Sequence, residues 1–105
     1  MAKLKVQPLL LPVLKAIADG VEHPVENIRK HVAEELRLSD DYLKPINPKT
    51  GQTYYENHIA WALAHLNVGK AIVKERKGVY KIADRGKAIL ASGVGDLTVT
   101  EARRG

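Results

Sequence analysis

The spacing of the apolar residues changes character at Gly69, and that change limits the chain to few folds. Before Gly69, apolar positions recur every three or four residues, the spacing that keeps side chains on one face of a helix. Leu10, Val13, Leu14 and Ile17 form the first such stripe, opened by Pro8 and ended by Gly20. Ile28, Val32 and Leu36 form the second, on a helix predicted from Val25 to Arg37 with Pro24 ahead of it as a start signal. Tyr55, Ile59, Ala62, Leu63 and Leu66 form the third, on a helix from Tyr54 to Val68. After Gly69, Ala71 to Lys74 and Val79 to Ile82 are short, partly β-branched runs around Lys77 and Gly78, the pattern of a hairpin. A last short helix starts at Ala83, with Ile89 and Leu90 as its apolar contacts.

The order helix, helix, helix, hairpin wing, helix predicts a mainly α fold with one small antiparallel β-hairpin, the winged form of helix-turn-helix. At 105 residues the chain has room for one domain, placed at 1–92. Residues 93–105 have a weak apolar pattern and read as a tail or linker, in which Leu97 to Thr100 can pair as a stray strand. Between Ser39 and Thr53 the density of Ser, Asp, Asn, Pro and Gly predicts a loop, with Tyr42, Leu43 and Ile46 as the residues to pin it to the core.

The chain has no cysteine, which excludes disulfides, thiolate zinc sites and cysteine nucleophiles, and no phenylalanine, so the core must be mostly aliphatic. The apolar run Leu9 to Leu11 is broken by Pro8 and Pro12 and is too short for a signal core or a membrane span. A soluble protein without a membrane partner is expected, with the cytoplasm as the default compartment.

Charge is segregated. Between Lys70 and Lys87, seven bases (Lys70, Lys74, Arg76, Lys77, Lys81, Arg85, Lys87) stand against two acids (Glu75, Asp84), a net +5 that equals the charge of the whole chain. From Asp19 to Asp41 seven acids (Asp19, Glu22, Glu26, Glu34, Glu35, Asp40, Asp41) stand against Arg29, Lys30 and Arg37. One side of the protein should attract phosphate and another repel it.

In a winged helix-turn-helix the third helix is free to enter a major groove while the wing meets the neighbouring backbone. The outward side of this helix carries Tyr54, Asn57, Ala60, Trp61, Ala64 and His65. Ala60 and Ala64 leave room for base edges, and Asn57 has the groups to pair bidentately with adenine. Lys49 and Gln52, just ahead of the helix, are placed to hold phosphate or reach a base, and the Tyr54 hydroxyl suits phosphate. Trp61 lies away from the core stripe; its size predicts packing beneath the hairpin, with a nucleic-acid contact as the alternative. Lys74, Arg76, Lys77 and Lys81 make the wing a charged tip. Each of these features also has an ordinary reading as solvated surface.

No catalytic group emerges. His58 and His65 share a flank of the third helix but have no third ligand in sequence, so neither a metal site nor a cofactor is expected. Glu75, Arg76 and Lys77 match half of a nuclease metal motif, without the Pro-Asp pair that supplies the second carboxylate.

The run Tyr55-Glu56-Asn57-His58-Ile59-Ala60-Trp61-Ala62 with Leu66 and Gly69, followed by Gly78-Val79-Tyr80-Lys81-Ile82 and Gly86, resembles the N-terminal winged-helix domain of Mrr-type restriction endonucleases. Leu11-Pro12-Val13-Leu14 and Glu35-Leu36-Arg37-Leu38 are similar too, so the resemblance covers residues 7 to 92. It implies a domain that delivers a separate nuclease domain of the parent chain to modified DNA. At the end of the third helix Asn67, Val68, Gly69 and Lys70 replace the family's usual Ala-Gly-Leu, and Ala83 stands where a Thr often starts the last helix. The expected function is therefore a duplex-DNA-binding, target-recognition module that reads modified, methylated bases and is not itself an enzyme. A winged-helix protein-assembly module or transcriptional regulator is the alternative, and a homo-oligomer is compatible with either.

Overall fold

A computed structural model describes residues 6–104 of the chain. The first five residues of the expected domain and Gly105 of the expected tail lie outside the described residues. Helix α1 (Gln7–Ala16) has Pro8 in its first turn, where a missing N–H costs the helix nothing, and buries Leu9, Leu10, Leu11, Val13 and Leu14. It is the central element: α2, α4, α5 and α6 all pack against it. A short strand β1 (His23–Pro24) follows, then α2 (Val25–Glu35), which buries Ile28 and Val32. This helix stops two residues before its expected end, where the chain turns and Arg37 takes a left-handed φ of 52°.

The expected loop from Ser39 to Thr53 contains one helical turn, α3 (Asp40–Leu43). Tyr42 and Leu43 pack against the core, but Ile46 is 62% exposed. A backbone bridge between Ile46 and Thr53 ties this stretch down, so the Ile46 side chain is not needed as the pin.

Helix α4 (Tyr54–Val68) has the predicted bounds and buries all five predicted core residues, Tyr55, Ile59, Ala62, Leu63 and Leu66. A capping box fixes its start: the Glu56 amide donates to Thr53 Oγ1, and the Thr53 amide donates to Glu56 Oε1, both at 3.0 Å. The wing is formed by β2 (Ile72–Arg76) and β3 (Val79–Ile82), with Gly78 at a φ of +76° in the turn, a conformation that favours glycine. Pairing of His23 with Tyr80 and Pro24 with Val79 adds β1 as a third strand that the sequence reading lacks. The sheet order is β1-β3-β2, so Pro24 sits on an edge, where its missing N–H is tolerated. Ile72 pairs with Ile82, and both are buried against the helices. Helix α5 (Asp84–Ala91) follows, with Ile89 and Leu90 on the core. The observed order is the winged helix-turn-helix arrangement, mostly helical with one small antiparallel sheet.

The segment after residue 92 differs from the expected tail. Leu97 is 3% and Ala102 0% exposed, and a short helix α6 (Val99–Arg103) packs on α4 and α1. No strand forms at Leu97 to Thr100. A second capping box, Thr98 with Glu101, starts a helix there instead.

Candidate nucleic-acid interface

At about 100° per residue, the core residues of α4 lie along one line and leave the opposite line to solvent. That outward line carries Tyr54 (43% exposed), Trp61 (60%) and Val68 (52%), spaced seven residues apart, with Ala60 and Ala64 exposed beside them. Trp61 is not beneath the hairpin. Ile72 and Ile82 fill that position, and the indole lies instead beside His65, with ring centroids 6.0 Å apart and planes tilted by 31°. The helix carries no Lys or Arg along its length. Its sequence supplies apolar contact, and any phosphate must be met by neighbouring segments.

Asn57 and Gln52, expected to contact a base or phosphate, are also bonded to the turn ahead of α4. Asn57 Oδ1 accepts from Asn47 Nδ2 (3.2 Å) and from Thr50 Oγ1 (3.1 Å), while its Nδ2 donates to Gln52 Oε1 (2.8 Å). Both ends of the Asn57 amide are thus engaged in holding the turn ahead of α4. Lys49 stands exposed on that turn, its amide donating to Asn47 Oδ1 at 3.0 Å. The network fixes where this cation sits relative to the helix start.

On the wing, Lys74 pairs with Tyr80 and Lys81 with Val73. Neighbouring pairs point to opposite faces of a hairpin, so these two lysines do not form one cluster. Lys77 is exposed at the turn. Arg76 is already engaged: its guanidinium donates to Glu22 at 2.8 Å, across a register shift between Lys74 and Arg76 that leaves Glu75 on the bulge. Among the described residues, no group of three or more His, Cys, Asp and Glu could hold a metal ion. No helix among them is long and apolar enough to cross a membrane.

Two histidines border the outward face. The Tyr42 hydroxyl and His58 Nδ1 are 2.8 Å apart, and Arg103 lies 2.9 Å from His65 Nδ1. Burial holds the His58 pKa below its ordinary value; burial first, and then the Arg103 charge, do the same for His65. Burial raises the hydroxyl pKa of Tyr42 and of Tyr55, whose hydroxyl donates to the Arg29 carbonyl at 2.6 Å. All four groups are held in their neutral forms near pH 7. On the α2 side, an open groove of about 600 Å³ between α2 and the start of α4 is rimmed by Arg29, Lys30 and Arg37 together with Glu34 and Glu56. Its mixed charge gives no preference for phosphate.

Residues 7–92 match the family model described as Mrr N-terminal domain. The chain belongs to that family. Membership associates it with Mrr restriction-system proteins, and the matched part comprises α1 to α5 with the wing. No curated protein and no solved structure matches the chain. Helix α6 lies beyond the Mrr N-terminal match. The sequence reading missed Val68 and Arg103 as neighbours of this surface. Val68 was signalled by the seven-residue spacing from Tyr54 through Trp61, and Arg103 by the Thr98–Glu101 capping box.

Proposed function

We propose that this chain is the duplex-DNA-binding, target-recognition module of an Mrr-type restriction system, with α4 entering the major groove and the wing holding phosphate. The observation that carries the reading is the division of labour around α4. Its outward face is apolar and free of Lys and Arg, whereas exposed lysines stand before it (Lys49), after it (Lys70) and on the wing (Lys74, Lys77, Lys81). Cations that position the protein and small side chains that contact bases are the two parts a DNA reader needs. Ala60, Ala64 and Trp61 suit the 5-methyl group of thymine or of a methylated cytosine, which projects into the major groove. Asn57 and Gln52 shape the turn ahead of α4. The cytoplasm is the compartment that goes with a DNA partner, and cleavage belongs to a nuclease domain of the parent chain.

Titration of labelled duplexes at several salt concentrations tests this. Unspecific binding is expected with Kd of order 10⁻⁴ to 10⁻⁶ M and a marked salt dependence. Burial of one methyl should favour a methylated duplex by up to about 0.8 kcal/mol, roughly fourfold. Ala64→Glu, at an exposed position, should keep the fold and abolish binding. Normal binding by that variant, with equal affinity for both duplexes, defeats the reading. Magnesium should produce no nicking; nicking that Glu75→Ala removes would make the chain a nuclease.

One observation favours a second reading. The stripe of Tyr54, Trp61 and Val68 is apolar enough to serve a protein partner or a second copy in an assembly module. That reading gains if the chain leaves DNA unbound at low salt and self-associates through Trp61.

A further inference from the structure

We infer that the DNA surface continues past the Mrr N-terminal match onto α6, where Arg103 is a phosphate anchor held in place by His65. The inference rests on the DNA-binding reading above and adds a residue outside both the wing and the matched family segment.

The first support is how firmly α6 is attached. Leu97 and Ala102 are buried, and the Val99 amide donates to Gln7 Oε1 at 3.1 Å, tying the helix start to α1. Arg85 of α5 donates to the Gly69 carbonyl (2.7 Å), to the Ala102 carbonyl (3.0 Å) and to the Glu101 carbonyl. One guanidinium thus joins the end of α4 to the end of α6. A Cβ at Gly69 would stand 1.6 Å from the Ala102 oxygen, so only glycine permits this approach. An arginine on the last turn of α6 therefore has a fixed base.

The second support is the arginine's own setting. Arginine can only donate, so His65 Nδ1 at 2.9 Å is the acceptor, and the neutral ring carries its proton on Nε2. The guanidinium has five N–H donors, and the bond to His65 leaves the others for the paired oxygens of a phosphate. His65 in turn lies against Trp61, the most exposed large apolar residue of the outward face of α4. Arg103 is thus joined through one side chain to the middle of that face. Because α4 carries no cation, its phosphate contacts must come from elements beside it. The turns carrying Lys49 and Lys70 and the wing are such elements, and α6 is a further one.

The test is fluorescence anisotropy of the full chain with a labelled duplex across a salt series. Arg103→Ala should weaken binding to every duplex alike and lower the slope of log K against log salt by about one unit. Arg103→Lys, which keeps the charge, should restore the slope. His65→Ala should leave the slope as it is and weaken binding about two- to tenfold, because the freed arginine must be ordered on binding. Lys30→Ala, on α2, should leave slope and affinity unchanged. If the wild-type chain binds but Arg103→Ala keeps its slope and affinity, or if Lys30→Ala lowers the slope equally, the anchor is refuted while the DNA reading stands. A wild-type chain that binds no duplex at low salt refutes the DNA reading itself.

Discussion

The wing and α6 both stand beside α4 and both present cations, but they are held in opposite ways. The wing is anchored at its base by Ile72 and Ile82, and from Val73 to Lys77 every residue is exposed. Helix α6 is half as long as a typical helix, yet it buries Ala102, follows the buried Leu97 and is fastened by Arg85. A charged element of this fold can thus extend from a sheet whose base alone is packed on the core, or lie docked on the core itself.

Truncation of Leu97, at the approach to α6, and of Val73, in β2, should separate the two regions most clearly. Leu97→Ala removes a buried side chain and should cost about 2 to 5 kcal/mol, whereas Val73→Ala, at an exposed position, should stay within about 0.5 kcal/mol. Urea unfolding of the two variants measures both. Equal losses would mean that α6 is no better docked than the wing tip.

Arg85→Ala should rank next. It deletes three charge-assisted hydrogen bonds to backbone carbonyls, and about 1.5 to 3 kcal/mol is expected from thermal unfolding. Hydrogen exchange should rise at the Ala102 amide, which bonds the Thr98 carbonyl, and stay unchanged at the wing. Exchange rising equally in both regions would show that Arg85 supports the whole fold and not α6 in particular.

Acidification should act with smaller effect on the α4–α6 contact through His65 and on the α3–α4 contact through His58. The folded pKa values of His58 and His65 lie below the ordinary imidazole value, so on acidification the unfolded chain takes up protons first. Stability is full above about pH 6.5 and declines as pH falls below it, until the folded-state pKa values are reached. Protonated His65 can no longer accept from Arg103, so His65→Gln should flatten part of this decline and leave the share due to His58. An unchanged melting temperature from pH 7 to pH 5 would contradict the shifts.

The same contrast explains what could be read in the sequence. The wing was legible because a hairpin announces itself locally, by β-branched runs and a Gly turn. The core face of α4 was legible because five apolar residues repeat at the helical period. Strand β1 was not, since His23 and Pro24 carry no strand pattern and pair only because β3 offers them an edge. Trp61 was misplaced because size argues for burial, whereas its angle on the helix puts it opposite the core. The network that Asn57 makes with Asn47, Thr50 and Gln52 could not be read, because its partners are set by the fold of the turn. Helix α6 was overlooked although Thr98 and Glu101 repeat the capping box of Thr53 and Glu56. With Ala102 as the one buried residue within it, α6 showed no stripe.

The smallest expected effect concerns the wing alone. Arg76 and Glu22 form an exposed ion pair at 2.8 Å, and such pairs contribute about 0.2 to 1 kcal/mol to stability. Glu22→Gln should therefore barely move the unfolding midpoint. Its consequence should appear in DNA binding, because the pair neutralises a cation that the wing would otherwise offer to phosphate. Release of Arg76 should strengthen binding at low salt by about two- to fivefold and steepen the salt slope, by at most about one unit. Arg76→Ala in the wild-type background should accordingly weaken binding less than Lys77→Ala, whose cation at the turn has no such acidic neighbour in the hydrogen-bond network described for Arg76. If Arg76→Ala and Lys77→Ala weaken binding equally, and Glu22→Gln changes nothing, the ion pair opens at no cost on binding, and the wing's cations act as one screened charge and not as separately placed anchors.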